Sequence, residues 1–245
     1  MDPGLVVIHE HPDWQKPLFQ ALDRRGVPYA PFDLKQAAFS NIEAPMARLY
    51  FNQASPSAYV RGNARAVPLA LAYMRTLERR GARVLNGADV FALELSKSAQ
   101  ATLLHSLGID TPRSITFNDV SALRRFESSI TWPALLKPDQ GGSGARIQVV
   151  NSMAEIEAVF AADPGVWLPD NLFLLQEYLP HDPGQGIVRL EFLGRTALCD
   201  AGQDARPLQP VPVTRLQSGR RRWCVRSSGR RGPTRRVLPV SRGAA

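Results

Sequence analysis

PALLKPDQGGSGARIQVV, residues 133–150, is the stretch on which the reading of the whole chain turns. Ala134, Leu135 and Leu136 make a short apolar strand that Pro138 closes, and residues 145–150 supply a hairpin partner. Between the two strands stand Asp139, Gln140 and then Gly141, Gly142, Ser143 and Gly144. Such small residues let backbone N–H groups approach an anion, because glycine has no Cβ in the way. By itself a loop of this kind describes many tight hairpins. No Gly-Lys-Ser/Thr follows, so it is not a Walker A loop, and a strand rather than a helix follows, so it is not a dinucleotide fingerprint. Lys137 narrows the choice. A lysine at the end of an apolar strand must snorkel, pair or meet a ligand. Beside a loop of N–H donors, a phosphate suits both.

Outward from this hairpin the chain alternates. Toward the C-terminus, Ser152-x-x-Glu155 is a capping-box pattern that opens a helix to about residue 161. Residues 172–178 read as an apolar strand, and 187–193 and 196–199 as strands joined at Gly194-Arg195. Toward the N-terminus, 111–117 is a turn running into a strand. Before it Ser96 caps a helix with Lys97 in its first turn, an apolar face of Ala99, Leu103, Leu104 and Leu107, and Gly108 at its end. A lysine in a first turn is ordinarily just solvated. Residues 5–8, 27–34, 47–52 and 83–86 predict short strands, and 14–25 and 67–80 amphipathic helices stopped by Gly26 and Gly81. The expected fold class is therefore α/β, with an open α/β lobe over 1–90 followed by an α+β lobe.

The order of these features resembles the ATP-grasp superfamily, in its glutathione-synthetase and ribosomal-protein glutamate-ligase branch. The resemblance rests on Ser96-Lys97, the phrase Gly108-Ile109-Asp110-Thr111-Pro112, Lys137-Pro138, the Gly-Gly-Ser-Gly loop, and Leu174-Leu175-Gln176-Glu177-Tyr178-Leu179. It covers about residues 84–199. It implies that Lys97 and Lys137 contact phosphates and that Gly141, Gly142, Ser143 and Gly144 form a lid over the triphosphate. It further implies that Gln176, Glu177, Tyr178 and Leu179 form the hinge strand at the adenine edge, and that Asp182 holds the ribose. An ordinary turn aspartate explains Asp182 nearly as well. Arg189 and Glu191 resemble the start of the large-lobe sheet, though a solvated strand face accounts for them equally. The implied chemistry joins a small-molecule or peptide carboxylate to an amine through an acyl-phosphate, with ATP as the energy source. Mg²⁺ is expected with it, yet its usual late acidic residues and asparagine are not found here. No catalytic residue is assigned, and Asn52, Arg61 and Asn63 line the cleft or are simply polar loop residues.

Charge divides the chain. Residues 200–245 hold eleven Arg, two Asp and neither Lys nor Glu, whereas residues 1–199 are close to neutral. Arginine without lysine, mixed with Pro, Gly, Ala and Ser, predicts a disordered basic tail. It is also what GC-rich DNA yields when read out of frame. Codons exist for residues 199–221 whose neighbouring frame spells a strand of the kind this family places next. The expectation is an ATP-grasp domain over 91–199, incomplete through a frameshift. The competing function is a noncatalytic nucleotide- or nucleic-acid-binding protein using the tail, in which Trp223 alone offers stacking. Two cysteines, Cys199 and Cys224, and four scattered histidines suggest neither a zinc site nor a disulfide scaffold. With no secretory signal and no apolar run of about 20 residues, the expected location is cytoplasmic, away from membranes.

Overall fold

The apolar run near the N-terminus becomes the centre of a sheet. In the computed structural model, β1 (Leu5–His9) lies between β2 (Tyr29–Asp33) and β3 (Leu49–Asn52), with β4 (Arg83–Leu85) outside β3. All three pairings are parallel. Val6, Val7 and Ile8 are fully buried, as expected of a parallel strand covered on both faces. The structure describes residues 3–142 and 144–180, and the backbone of strands Val188–Leu193, Thr196–Ala201 and Pro210–Pro212.

Helices connect and cover these strands. Lys16–Arg24 forms α1, and Ala66–Arg79 forms α2, which presents Val67, Ala70, Met74 and Leu77 to the core with Val6, Ile8 and Tyr50. Ala88–Leu95 forms α3, a helix with no counterpart in the sequence reading. Its run FALEL is apolar on too many sides to show a 3.6-residue period. It is held by Phe91 in the core and by Ala88 N–H donating to the Glu78 carboxylate at 3.0 Å.

Ser96 then caps α4 (Lys97–Ser106), its hydroxyl accepting from Ala99 N–H at 3.1 Å. The predicted apolar face of α4 is not buried: Leu103, Leu104 and Leu107 are exposed, and no residue of the helix is fully covered. The helix is tied instead by Gln100, whose side-chain amide donates to Leu93 C=O at 2.9 Å.

Four antiparallel strands follow in the order β5 (Ser114–Phe117), β8 (Phe173–Glu177), β6 (Ala134–Pro138), β7 (Gln148–Val150). The capping box opens α5 (Met153–Ala162): Ser152 Oγ accepts from Glu155 N–H at 3.2 Å, and the Glu155 carboxylate accepts from Asn151 N–H at 2.9 Å. Ile156 of α5 and Leu123 pack with Phe117, Leu136, Phe173 and Leu175 to fill one side of this sheet.

Residues up to Leu179 form one compact unit and residues 180–245 a second. The second contains β9 (Val188–Leu193), β10 (Thr196–Ala201) and β11 (Pro210–Pro212), antiparallel in the order β11-β10-β9. Thus Asp200, Ala201 and Pro210–Pro212, inside the segment expected to be a disordered tail, are strand residues. Prolines are accommodated there because β11 borders the sheet. The rest of the arginine-rich segment lies outside the described residues. Among the described residues no helix is long and apolar enough to cross a membrane.

Candidate nucleotide site

Strand alternation gives the antiparallel sheet two unlike faces. Ala134, Leu136 and Pro138 oppose Glu177, Leu175 and Phe173, and this set contains the core side. Leu135 and Lys137 oppose Gln176 and Leu174, so they share the other face. There the Lys137 ammonium donates to the Gln176 side-chain oxygen at 2.6 Å, a diagonal cross-strand contact. Burial holds the Lys137 pKa below its ordinary value, against the opposing pull of Asp139.

Lys97 reaches the same region from α4. Its ammonium donates to Pro138 C=O at 2.7 Å and Asp139 C=O at 2.8 Å, where β6 runs into the loop. The buried Asp139 carboxylate accepts from Ser98 N–H at 2.8 Å, fixing the start of α4 to the loop root. Burial lowers the Lys97 pKa, the nearby Lys137 charge lowers it further, and Asp139 and Asp170 act in the opposite sense. Two partly desolvated cations thus share one region and gain from an anion placed between them.

The loop itself is held down by the N-terminal lobe. A side chain at Gly141 would meet the Tyr59 hydroxyl at 3.3 Å and Lys97 Nζ at 3.4 Å. At Gly142 it would meet Ser57 Cβ at 3.0 Å, a contact that forces something to move. Gly144 has φ +69°, in the left-handed region that disfavours side chains. Gln140 anchors the root, with its N–H donating to the Asp170 carboxylate at 2.8 Å and its side-chain amide to Pro56 C=O at 3.4 Å. Ser143 lies outside the described residues.

The residues expected at the hinge divide. Gln176 faces the lysines, whereas Glu177 lies on the opposite face, its carboxylate accepting from Arg113 N–H at 3.2 Å. Tyr178 and Leu179 follow β8, and Leu179 is exposed. A cavity of about 270 Å³ opens beside Glu177, lined by Ile115, Phe126, Ile130, Ala134 and Leu175. It adjoins the hinge and not the lysines. Asp182 lies outside the described residues, as do the side chains of Arg189 and Glu191, whose backbones form part of β9.

Asn52, Arg61 and Asn63 sit near the carboxyl ends of the parallel strands but are engaged within the lobe. Arg61 pairs with the fully buried Glu10, which also accepts from Asn63 Nδ2 at 3.0 Å. Asn52 donates to Asn86 C=O at 3.1 Å and accepts from Ala54 N–H at 2.9 Å. Sequence reasoning passed over Asp139, Asp170 and Tyr59. Asp139 directly follows Lys137-Pro138 and could have been found there; Tyr59 and Asp170 join the site only through folding.

No family model matches the sequence, and no curated protein matches it. Solved structures do match the fold. A RimK domain protein ATP-grasp from Sphaerobacter thermophilus aligns with 83% of this chain and 76% of its own, at 17% identity and a TM-score of 0.61. The ATP-grasp ligase PsnB aligns with 86% of this chain and 76% of its own, at 22% identity and 0.51. VanG D-Ala:D-Ser ligase from Enterococcus faecalis aligns with 74% of this chain and 64% of its own, at 15% identity and 0.56. With two lysines and a glycine loop gathered at one sheet face, and these structures superposing on most of its length, the chain has the ATP-grasp fold.

Proposed function

We propose that the chain binds ATP at the face bearing Lys97, Lys137 and Gln176 and serves as an ATP-dependent carboxylate–amine ligase. The convergence of two lysines with the glycine loop carries this reading. Lys137 lies between the hinge end of β8 and the loop, because Pro138 opposes Phe173, four residues before Glu177. Four residues of strand span about 13 Å, the scale of a nucleotide laid from adenine to distal phosphate. Adenine is assigned to the hinge at Gln176, Glu177, Tyr178 and Leu179. With Glu177 turned to the other face, backbone groups would read the base edge. Gly141, Gly142, Ser143 and Gly144 would close over the phosphates, and Asp182 would take the ribose.

In the reaction a substrate carboxylate oxygen attacks the γ-phosphorus and the bond to the β-phosphate oxygen breaks, releasing ADP. The amine nitrogen then attacks the acyl-phosphate carbon, phosphate leaves, and the nitrogen loses a proton. Lys97 and Lys137 stabilise the charge on the transferring and leaving oxygens, and the loop keeps water away. PsnB has been solved with AMPPNP and with Mg and ADP, and with precursor peptide, which supports a nucleotide and a peptide or small-molecule partner for a chain of this fold. Among the described residues no three His, Cys, Asp or Glu converge to hold a metal. Asp139 and Asp170 each give one carboxylate oxygen to a backbone N–H, while Asp170 Oδ1 is buried without a partner among the described residues, and no step is assigned through Mg²⁺.

Incubating the chain with ATP, candidate amino acids and hydroxylamine tests the reading. Acyl-phosphate formation would give a hydroxamate with stoichiometric ADP. ADP formation independent of any carboxylate, across a broad panel, would oppose it.

A further inference from the structure

Tyr59 lies in the 3₁₀ segment Pro56–Arg61 of the N-terminal lobe, capped by the Ser55 hydroxyl. Its own hydroxyl is buried and has no hydrogen-bond partner among the described residues. Buried phenols ordinarily find one, since leaving such a group unbonded costs its lost hydration. The hydroxyl and the Lys97 ammonium border one point beside Gly141, at 3.3 and 3.4 Å from where a side chain would begin. The Arg146 guanidinium lies over the Tyr59 ring, 5.6 Å from its centroid. Burial raises the Tyr59 pKa, so the phenol keeps its proton and remains a donor. A neutral O–H donor without an acceptor thus sits beside Lys97 and Arg146, roofed by a residue with no side chain, with the Asp170 carboxylate also in electrostatic range. It can receive an anion, because the two cations outweigh Asp170 in attracting one.

We propose that the Tyr59 hydroxyl donates to a distal phosphoryl oxygen of the bound nucleotide, alongside Lys97 and beneath Gly141. This rests on the nucleotide reading above. The loop covers the hydroxyl, so the phosphate displaces Gly141 as it enters. The N-terminal lobe then contributes a ligand to the phosphate site, and binding draws its turn, the loop and α4 onto one anion. The chemical class recognised is a phosphoryl group beyond the α position, since this point lies at the loop end of β6, away from the hinge.

Tyr59→Phe in the full chain tests this by isothermal titration with AMPPNP and, separately, with AMP. Because the hydroxyl has no partner, its removal leaves the ligand-free fold intact, which an unchanged or raised melting temperature verifies. The expected result is AMPPNP affinity lowered about tenfold, the scale of a charge-assisted hydrogen bond, with AMP affinity unchanged. Equal AMPPNP affinity in the variant and wild type would overturn the assignment of Tyr59 and leave the nucleotide site standing. An equal loss for AMP and AMPPNP would overturn it too, because the hydroxyl would then act through the fold. Absence of AMPPNP and AMP binding in the wild type would overturn both readings.

Discussion

Replacing Glu10 by alanine should destabilise the protein by about 3 kcal/mol, because it strands the Arg61 charge. Glu10 follows the central strand β1 and is fully buried, whereas the Arg61 side chain keeps 22% of its exposure. The carboxylate receives Arg61 Nη2 and, at 3.4 Å, Arg61 Nε, with Asn63 Nδ2 on the same oxygen as Nε at 3.0 Å. Its removal leaves the guanidinium with the Ser57 hydroxyl at 3.0 Å and the face of Trp14 at 5.2 Å. Breaking a fully buried pair costs about 3–5 kcal/mol. Arg61 recovers some hydration, which favours the lower end, a cost that already contains the lost Asn63 bond of about 1 kcal/mol. The melting temperature should fall by roughly 10 °C for a chain of this size. Urea unfolding followed by circular dichroism reads the change. The double variant Glu10→Met/Arg61→Met should cost less than Glu10→Ala alone, because it leaves no charge unpaired. A cost below about 1 kcal/mol for Glu10→Ala, or a double variant as costly as the two single ones added, would refute the reasoning.

The two lysines should give the stability a characteristic alkaline slope. Their folded pKa values are lowered, chiefly by burial, so the unfolded chain binds more protons between those values and the ordinary lysine value near about 10.4. Stability contributed by them therefore rises with pH through that window and is flat below it. Lys97→Met/Lys137→Met should flatten that rise in urea midpoints; an unaltered slope would argue against their desolvation. Gly142→Ala should cost about 1–3 kcal/mol through its collision with Ser57, and pairing it with Ser57→Gly should recover most of that, as thermal melts would show. Ser152→Ala should cost about 1 kcal/mol by uncapping α5 while leaving nucleotide affinity unchanged in a titration.

The hairpin at 133–150 was legible because its information is local: an apolar strand, a proline stop, small residues and a β-branched return strand. The same holds for Ser96 and Ser152, whose hydroxyls bond N–H groups within three residues. The leucines of α4 misled, because a helical apolar spacing states what could be buried and not whether a neighbour arrives; Leu107 stays exposed. In α3 the opposite occurred, and a helix buried through Phe91 showed no period at all. The lysines and glycines of the site were readable from their order. Their supports were not: Asp170 meets Gln140 across 30 residues and Tyr59 meets Gly141 across 82, and neither distance leaves a local pattern. Glu177 shows a finer limit. Its place in a strand was legible, but which face it takes depends on its register with Ala134.

Titration of the full chain with AMPPNP in the presence of Mg²⁺, wild type against Lys137→Ala, tests most directly whether this face binds ATP. Saturable binding in the wild type and affinity weakened about tenfold or more in the variant is the predicted result. No binding in the wild type, or equal affinity in the two proteins, would contradict it.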